Sequence, residues 1–200
     1  MASGRSDSVP KQGGKERLTP ERPTLPPLPV GLTEQKYDIG DVTLNYAVGV
    51  NNGPPMVLIH GLGGMLHDFL NAYELLKDRW QLALVDLRGH GKSSWTTAGY
   101  DFSSYHSDII SLMRDVIRGP AVVWGHSLGA ITAMSIAARA PELVSAAILE
   151  DPPMMIAGDP SHSPFLLSFK RTQDLMRSGA TDDEILAAVR VWQPGMPDRS

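Results

Sequence analysis

The stretch that decides the reading is AVVWGHSLGAITAMSIAARAP, residues 121–141. It opens as a short apolar run with adjacent valines, passes through Gly125, His126, Ser127, Leu128 and Gly129, and continues as an alanine-rich helical segment closed by Pro141. The order is strand, cramped turn, helix. A serine on such a turn projects its hydroxyl above the edge of a sheet. The flanking glycines are required because a side chain there would collide with the crowded backbone. A helix starting at Leu128 aims its free N–H groups, and the positive end of its dipole, at charge developing beside Ser127. The five residues alone also fit an inert glycine–serine helix start, so their surroundings have to carry the chemistry.

Upstream, PPMVLIHG (54–61) and QLALVDLRG (81–89) are continuous apolar runs of the kind that fills a sheet buried on both faces. Between them Leu66, Phe69, Leu70, Tyr73 and Leu76 recur at three- and four-residue intervals, which predicts an amphipathic helix over 66–79. A second helix is expected over 104–118, burying Ile109, Leu112, Met113, Val116 and Ile117 and ended by Gly119-Pro120. YDIGDVTLNYAVGV (37–50) reads as two edge strands joined at Gly40-Asp41, and VSAAILED (144–151) as a further buried strand stopped by Pro152-Pro153. Strands alternating with helices predict an α/β fold, a mostly parallel sheet flanked by helices.

Six of the 16 prolines fall within the first 30 residues among glycines and mixed charges, so residues 1–33 read as a flexible tail that packs only near Leu25 to Leu32. Residues 34–152 form the core. Beyond 153 the pattern is helical: Ser163-Pro164 opens one helix, Gly179 stops it, and Thr181 with Glu184 makes a capping box for the next. The chain carries 18 Lys plus Arg against 22 Asp plus Glu, a net charge of −4, which lacks the dense basic surface that nucleic-acid binding needs. It has no cysteine, so disulfides, thiolate metal sites and a cysteine nucleophile are excluded; a reducing, cytoplasmic location is the expectation. The longest apolar stretches fall short of a membrane span, and the first residues lack the apolar segment of a secretory signal. Gly91-Lys92-Ser93 lacks the upstream glycine of a P-loop, so neither nucleotide nor other cofactor is expected.

A second chemical element follows the strand VLIH: His60-Gly61-Leu62-Gly63-Gly64. Acyl transfer builds negative charge on a former carbonyl oxygen, and backbone N–H groups fixed in advance stabilise it. The natural donors are the amides of Leu62 and Leu128. His60, at a strand end, reads as a residue that shapes the loop by hydrogen bonding and less as a general base. His126 reads as structural or pocket-lining.

Taken together, HGLGG, DLRGHGKSS (86–94) and GHSLG, each after a buried strand, make residues 35–153 resemble the amino-terminal two-thirds of an α/β-hydrolase core of the serine-nucleophile branch. The resemblance implies a metal-free serine hydrolase, esterase-like, that cleaves an ester, lactone or similar acyl bond through an acyl-enzyme. Ser127 would be its nucleophile, and residues 153–200 would begin a helical cap. It also implies that Asp86 and Arg88 fix loops. Dehalogenase and epoxide hydrolase branches place aspartate where Ser127 stands. Some members carry the triad acid after strand six, which makes Asp151 a candidate; the alternative is that Asp151 pins the turn leaving the strand. Glu150, adjacent on an alternating strand, is expected to point elsewhere.

A neutral serine needs a base oriented by a carboxylate. Family chain order is serine, acid, histidine. The only histidine after Ser127 is His162, in GDPSHSP, ahead of any later strand. In the family the histidine follows the last strand and the usual acid follows the strand after the cap; both are therefore expected beyond Ser200, and the chain reads as incomplete and inactive alone, with His162 as the other candidate base and Asp151 as the other candidate acid. In the cap segment, Met154, Met155, Ile156, Phe165, Phe169 and Trp192 either line an apolar acyl pocket or form ordinary core. The other class left open is a non-catalytic small-molecule binding or regulatory protein of the same fold.

Overall fold

A computed structural model of the chain describes residues 25–153 and, beyond them, residues 171, 174, 175, 178–181, 183–185 and 187. Six strands form one sheet: β1 (Thr33–Asp38), β2 (Thr43–Val48), β3 (Pro55–Ile59), β4 (Gln81–Asp86), β5 (Ala121–His126) and β6 (Val144–Glu150), in the order β1-β2-β4-β3-β5-β6. β1 and β2 run antiparallel to their neighbours, and β4, β3, β5 and β6 are parallel. Chain order reverses around β3, which lies between β4 and β5. In open α/β sheets a crevice opens at such a point, outside the carboxyl ends of the strands.

Why β3 and β4 read as unbroken apolar runs is visible in where successive residues point. Val57, Ile59, Ala83 and Val85 face one side, against Ile109, Leu112 and Met113 and, from the next helix, Ala133 and Ile136. Met56, Leu58, Leu82 and Leu84 face the other, against Leu66, Phe69 and Tyr73. Both faces are covered, so both registers must be apolar. The helices are α1 (Leu70–Leu76), α2 (Phe102–Leu112) and α3 (Leu128–Arg139). Leu28 and Leu32 pack on the second face, so the end of the proline-rich tail does join the core.

Several expectations change. The helix expected over 66–79 is a tight 3-10 turn, Leu66–Phe69, leading into α1, which ends at Leu76. The second helix begins at Phe102, because the Asp101 side chain accepts from the Ser104 N–H at 2.9 Å and caps it. Its last turn, Met113–Ile117, widens to a π-turn, ended by Arg118 at φ 60 with its N–H on the Met113 carbonyl at 2.8 Å. β2 is not an edge strand: it pairs with β1 on one side and β4 on the other, and Leu44 to Ala47 are all buried. β6 forms where expected but is not buried among the described residues, with Ile148 42% and Leu149 39% exposed. An apolar strand records the surroundings it suits; it cannot supply them. Farther on, two cap-segment expectations fall on described residues. Gly179 takes φ 77 with the Ala180 N–H on the Leu175 carbonyl, and Thr181 and Glu184 exchange the two bonds of a capping box. Ser163-Pro164 lies outside the described residues.

Candidate active site

Ser127 follows β5 directly and precedes α3, at φ 52 and ψ −110. Apart from Arg118, which caps a helix, the only other non-glycine residue with positive φ among those described is Asp151, at φ 46. The two stand at the carboxyl ends of neighbouring strands. They are tied through the backbone, since the Ser127 N–H donates to the Glu150 carbonyl at 2.9 Å. Such conformations cost of order 1–3 kcal/mol each and persist where the surroundings over-determine them.

The flanking glycines are needed for the reason the sequence suggests. A Cβ on Gly125 would lie 2.0 Å from the Gly129 carbonyl oxygen, and one on Gly129 would lie 2.0 Å from that of Ile59. α3 therefore starts directly against the end of β3. A Cβ on Gly61 would lie 3.2 Å from the Ser127 Cβ and 2.9 Å from His126 Nδ1, so the backbone of the HGLGG loop abuts the serine. Among the described residues, neither the Leu62 nor the Leu128 N–H meets an acceptor.

His60 is buried beneath this loop. Its Nδ1 donates to the Gly61 carbonyl at 2.7 Å and its Nε2 accepts from the Leu87 N–H at 3.0 Å, which settles the tautomer. Burial pushes its pKa down to about 4, against a smaller upward pull from the Gly61 bond. With both nitrogens occupied, His60 shapes the loop and is not placed as a base. Asp86 accepts from the Leu66 N–H at 2.7 Å, the Lys92 N–H at 2.9 Å and Asn45 Nδ2 at 2.8 Å. Arg88 grips Asp108 bidentately, 2.6 Å at both contacts, and donates to the Gly99 carbonyl at 3.2 Å. These two residues tie loops, as expected.

Asp151 is exposed, and its carboxylate has no hydrogen bond to a described residue. Glu150 does not turn away from this end of the sheet as alternation suggested: its Oε2 accepts from Trp124 Nε1 at 3.0 Å and the residue lines the cavity beside the serine turn. Beside the serine turn, His60, Asp68, Phe69, His126 and Glu150 line a cavity of about 150 Å³. Phe69 meets Trp124 edge-on at 5.5 Å. His126 is thus pocket-lining, while Asp68 was not singled out from the sequence and Phe69 was read only as a helix-face residue. The periodicity that marks Phe69 as core is the same whether or not a cavity opens beside it.

No histidine among the described residues hydrogen-bonds the Ser127 hydroxyl. His162, Met154, Met155, Ile156, Phe165, Phe169 and Trp192 lie outside the described residues. Within the described residues, no group of three or more acidic or imidazole side chains is placed to hold a metal ion. No described helix is long and apolar enough to cross a membrane.

A serine at positive φ on a strand-to-helix turn, glycine-locked on both sides, agrees with the sequence comparison, in which the profile of the alpha/beta hydrolase fold family matches residues 54–186. The chain belongs to that family. It is 38% identical over 117 residues to 2-(acetamidomethylene)succinate hydrolase of Mesorhizobium japonicum, covering 58% of this chain and 42% of that protein. It is 34% identical over 126 residues to fluoroacetate dehalogenase of a Burkholderia species, covering 60% and 41%. The solved structure of E-2-(acetamidomethylene)succinate hydrolase superposes with a TM-score of 0.59 at 31% identity, over 75% of this chain and 53% of the other. The chain thus spans less than half the length of these two curated relatives.

Proposed function

We propose that the protein is a serine hydrolase acting on an ester, lactone or related acyl bond of a small, largely apolar substrate. The observation that carries this reading is Ser127 itself: a non-glycine residue held at φ 52, with the Gly61 backbone against its Cβ and with the Leu62 and Leu128 amides meeting no acceptor among the described residues. In the reaction Ser127 Oγ attacks the carbonyl carbon and gives its proton to a histidine. The Leu62 and Leu128 N–H groups hold the oxygen that becomes negative. Collapse of the tetrahedral species expels the leaving group, which takes the proton back, and water then releases the acid from Ser127 by the same route.

Asp151 is proposed as the acid that orients the histidine, because it stands at φ 46 at the end of the strand next to that of Ser127, with no hydrogen bond from a described residue to its carboxylate. The histidine itself is assigned to sequence beyond Ser200, and the 200-residue chain is accordingly proposed to be a part of the working enzyme, with 153–200 the start of its cap. Serine at 127 argues for acyl chemistry over the aspartate-based routes of the dehalogenase branch. The relative named for an acetamidomethylene compound supports counting amides among the candidate bonds. A cytoplasmic location, without cofactor, completes the proposal.

The test uses p-nitrophenyl acetate and butyrate. The full-length protein should turn over, and Ser127→Ala should lower kcat by at least about 10³-fold. The 200-residue chain should show little activity. Triad-level rates from that chain would overturn the assignment of the histidine, and turnover that survives Ser127→Ala would overturn the nucleophile.

A further inference from the structure

We infer that His60 is a positioning residue that sets the direction of the Leu62 N–H by pinning the other end of the same peptide group. The inference rests on the proposed serine chemistry and names what holds one of its two oxyanion donors in place.

The Gly61 carbonyl and the Leu62 N–H belong to one planar trans peptide, so they point in opposite directions and turn together. That carbonyl accepts two bonds, from His60 Nδ1 at 2.7 Å and from the Gly64 N–H at 3.0 Å. Both donors lie on the side away from the Leu62 N–H. Without them the backbone around this peptide would have more freedom to turn. Glycine flanks it at 61, Gly63 follows at φ 77, and nothing lies within 4 Å of where a Gly63 Cβ would be. A peptide flip would then turn a carbonyl oxygen toward the developing oxyanion, replacing attraction by repulsion.

His60 suits the task because it cannot do otherwise. Its Nε2 is held by the Leu87 N–H at the end of β4, and the His90 ring packs 5.1 Å away, centroid to centroid. The imidazole is a rigid strut between the β4 end and the loop after β3. Its neutral form is the one with a single N–H and a single lone pair, and those are what Gly61 and Leu87 require. A general base in this position would need a free nitrogen. His60 has none.

The test is made on the full-length protein. Nitrogen-15 NMR of wild type at pH 7 should show His60 with Nδ1 protonated and Nε2 bare, and the opposite tautomer would overturn the inference. His60→Phe keeps the ring and removes both bonds. It should lower kcat about 10- to 100-fold while KM stays within about threefold, and weaken a boronic acid that forms a tetrahedral adduct on Ser127 by the same factor as kcat. A folded His60→Phe variant that keeps kcat and boronate affinity would also overturn it, as would parallel losses in KM and kcat with unchanged boronate binding. If the variant does not fold, the wild-type tautomer decides. Turnover surviving Ser127→Ala fails the serine reading instead, and is measured first.

Discussion

Ser127 sits in a backbone conformation that residues with a Cβ rarely adopt, and its neighbours Gly125 and Gly129 have no room for one. These facts separate two kinds of substitution. Ser127→Gly and Ser127→Ala both remove the nucleophile, but glycine relieves the strain; the Gly variant should be more stable by about 1 kcal/mol, read as a higher urea midpoint. Gly125→Ala, whose methyl would meet the Gly129 carbonyl, should instead destabilise by more than about 2 kcal/mol. His60 makes a pH prediction. Its folded pKa, about 4, lies below the ordinary 6.5, owing to burial, with His90 lowering it further and Gly61, Asp86 and Asp68 raising it. The unfolded chain therefore binds the proton first. The stability contributed by neutral His60 is complete above pH 6.5 and is lost as pH falls toward 4, by about 3 kcal/mol in all. Denaturant unfolding at pH 7.5 and 4.5 should show this loss in wild type and not in His60→Phe.

At the scale of elements, the loop after β4 is held by side chains that do no chemistry. Arg88 and Asp108 are both buried and bonded at two points, with burial pushing the Asp108 carboxyl up although Arg88 pulls it down. Removing Asp108 leaves the buried Arg88 charge with only the exposed Asp41 carboxylate at 3.4 Å, so Asp108→Ala should cost about 3 kcal/mol and free the Gly99 loop to early hydrogen exchange. The role of Asp86 was legible from its motif; its partners were not, because Asn45, Leu66 and Lys92 come from three separate segments. The short 3-10 turn at Leu66–Phe69 was missed for a related reason. Apolar spacing of three and four fits a helix and a tight turn equally, and the Met65 N–H bonded to the Asp68 carboxylate at 3.0 Å favours the tight start.

At the scale of the whole molecule, β6 presents an apolar strand whose outer edge has no partner among the described residues. Unpaired edges template association. The 200-residue chain should self-associate as its concentration rises in sedimentation velocity, and Ile148→Lys should lower the associated fraction without changing the far-ultraviolet spectrum. What the sequence by itself determined is whatever depends on neighbours along the chain. That covers the strand–turn–helix at 121–141, the glycines that turn requires, the alternation of strands with helices, and the capping box at Thr181. Tertiary structure decided what depends on which strands become neighbours. Pairing placed β2 inside the sheet, brought Asp151 beside Ser127, locked both nitrogens of His60 and opened the cavity between Phe69 and Glu150. The physical reason is that local backbone preferences act over a few residues, whereas hydrogen bonds between β3, β4, β5 and β6 join segments that only folding brings within reach.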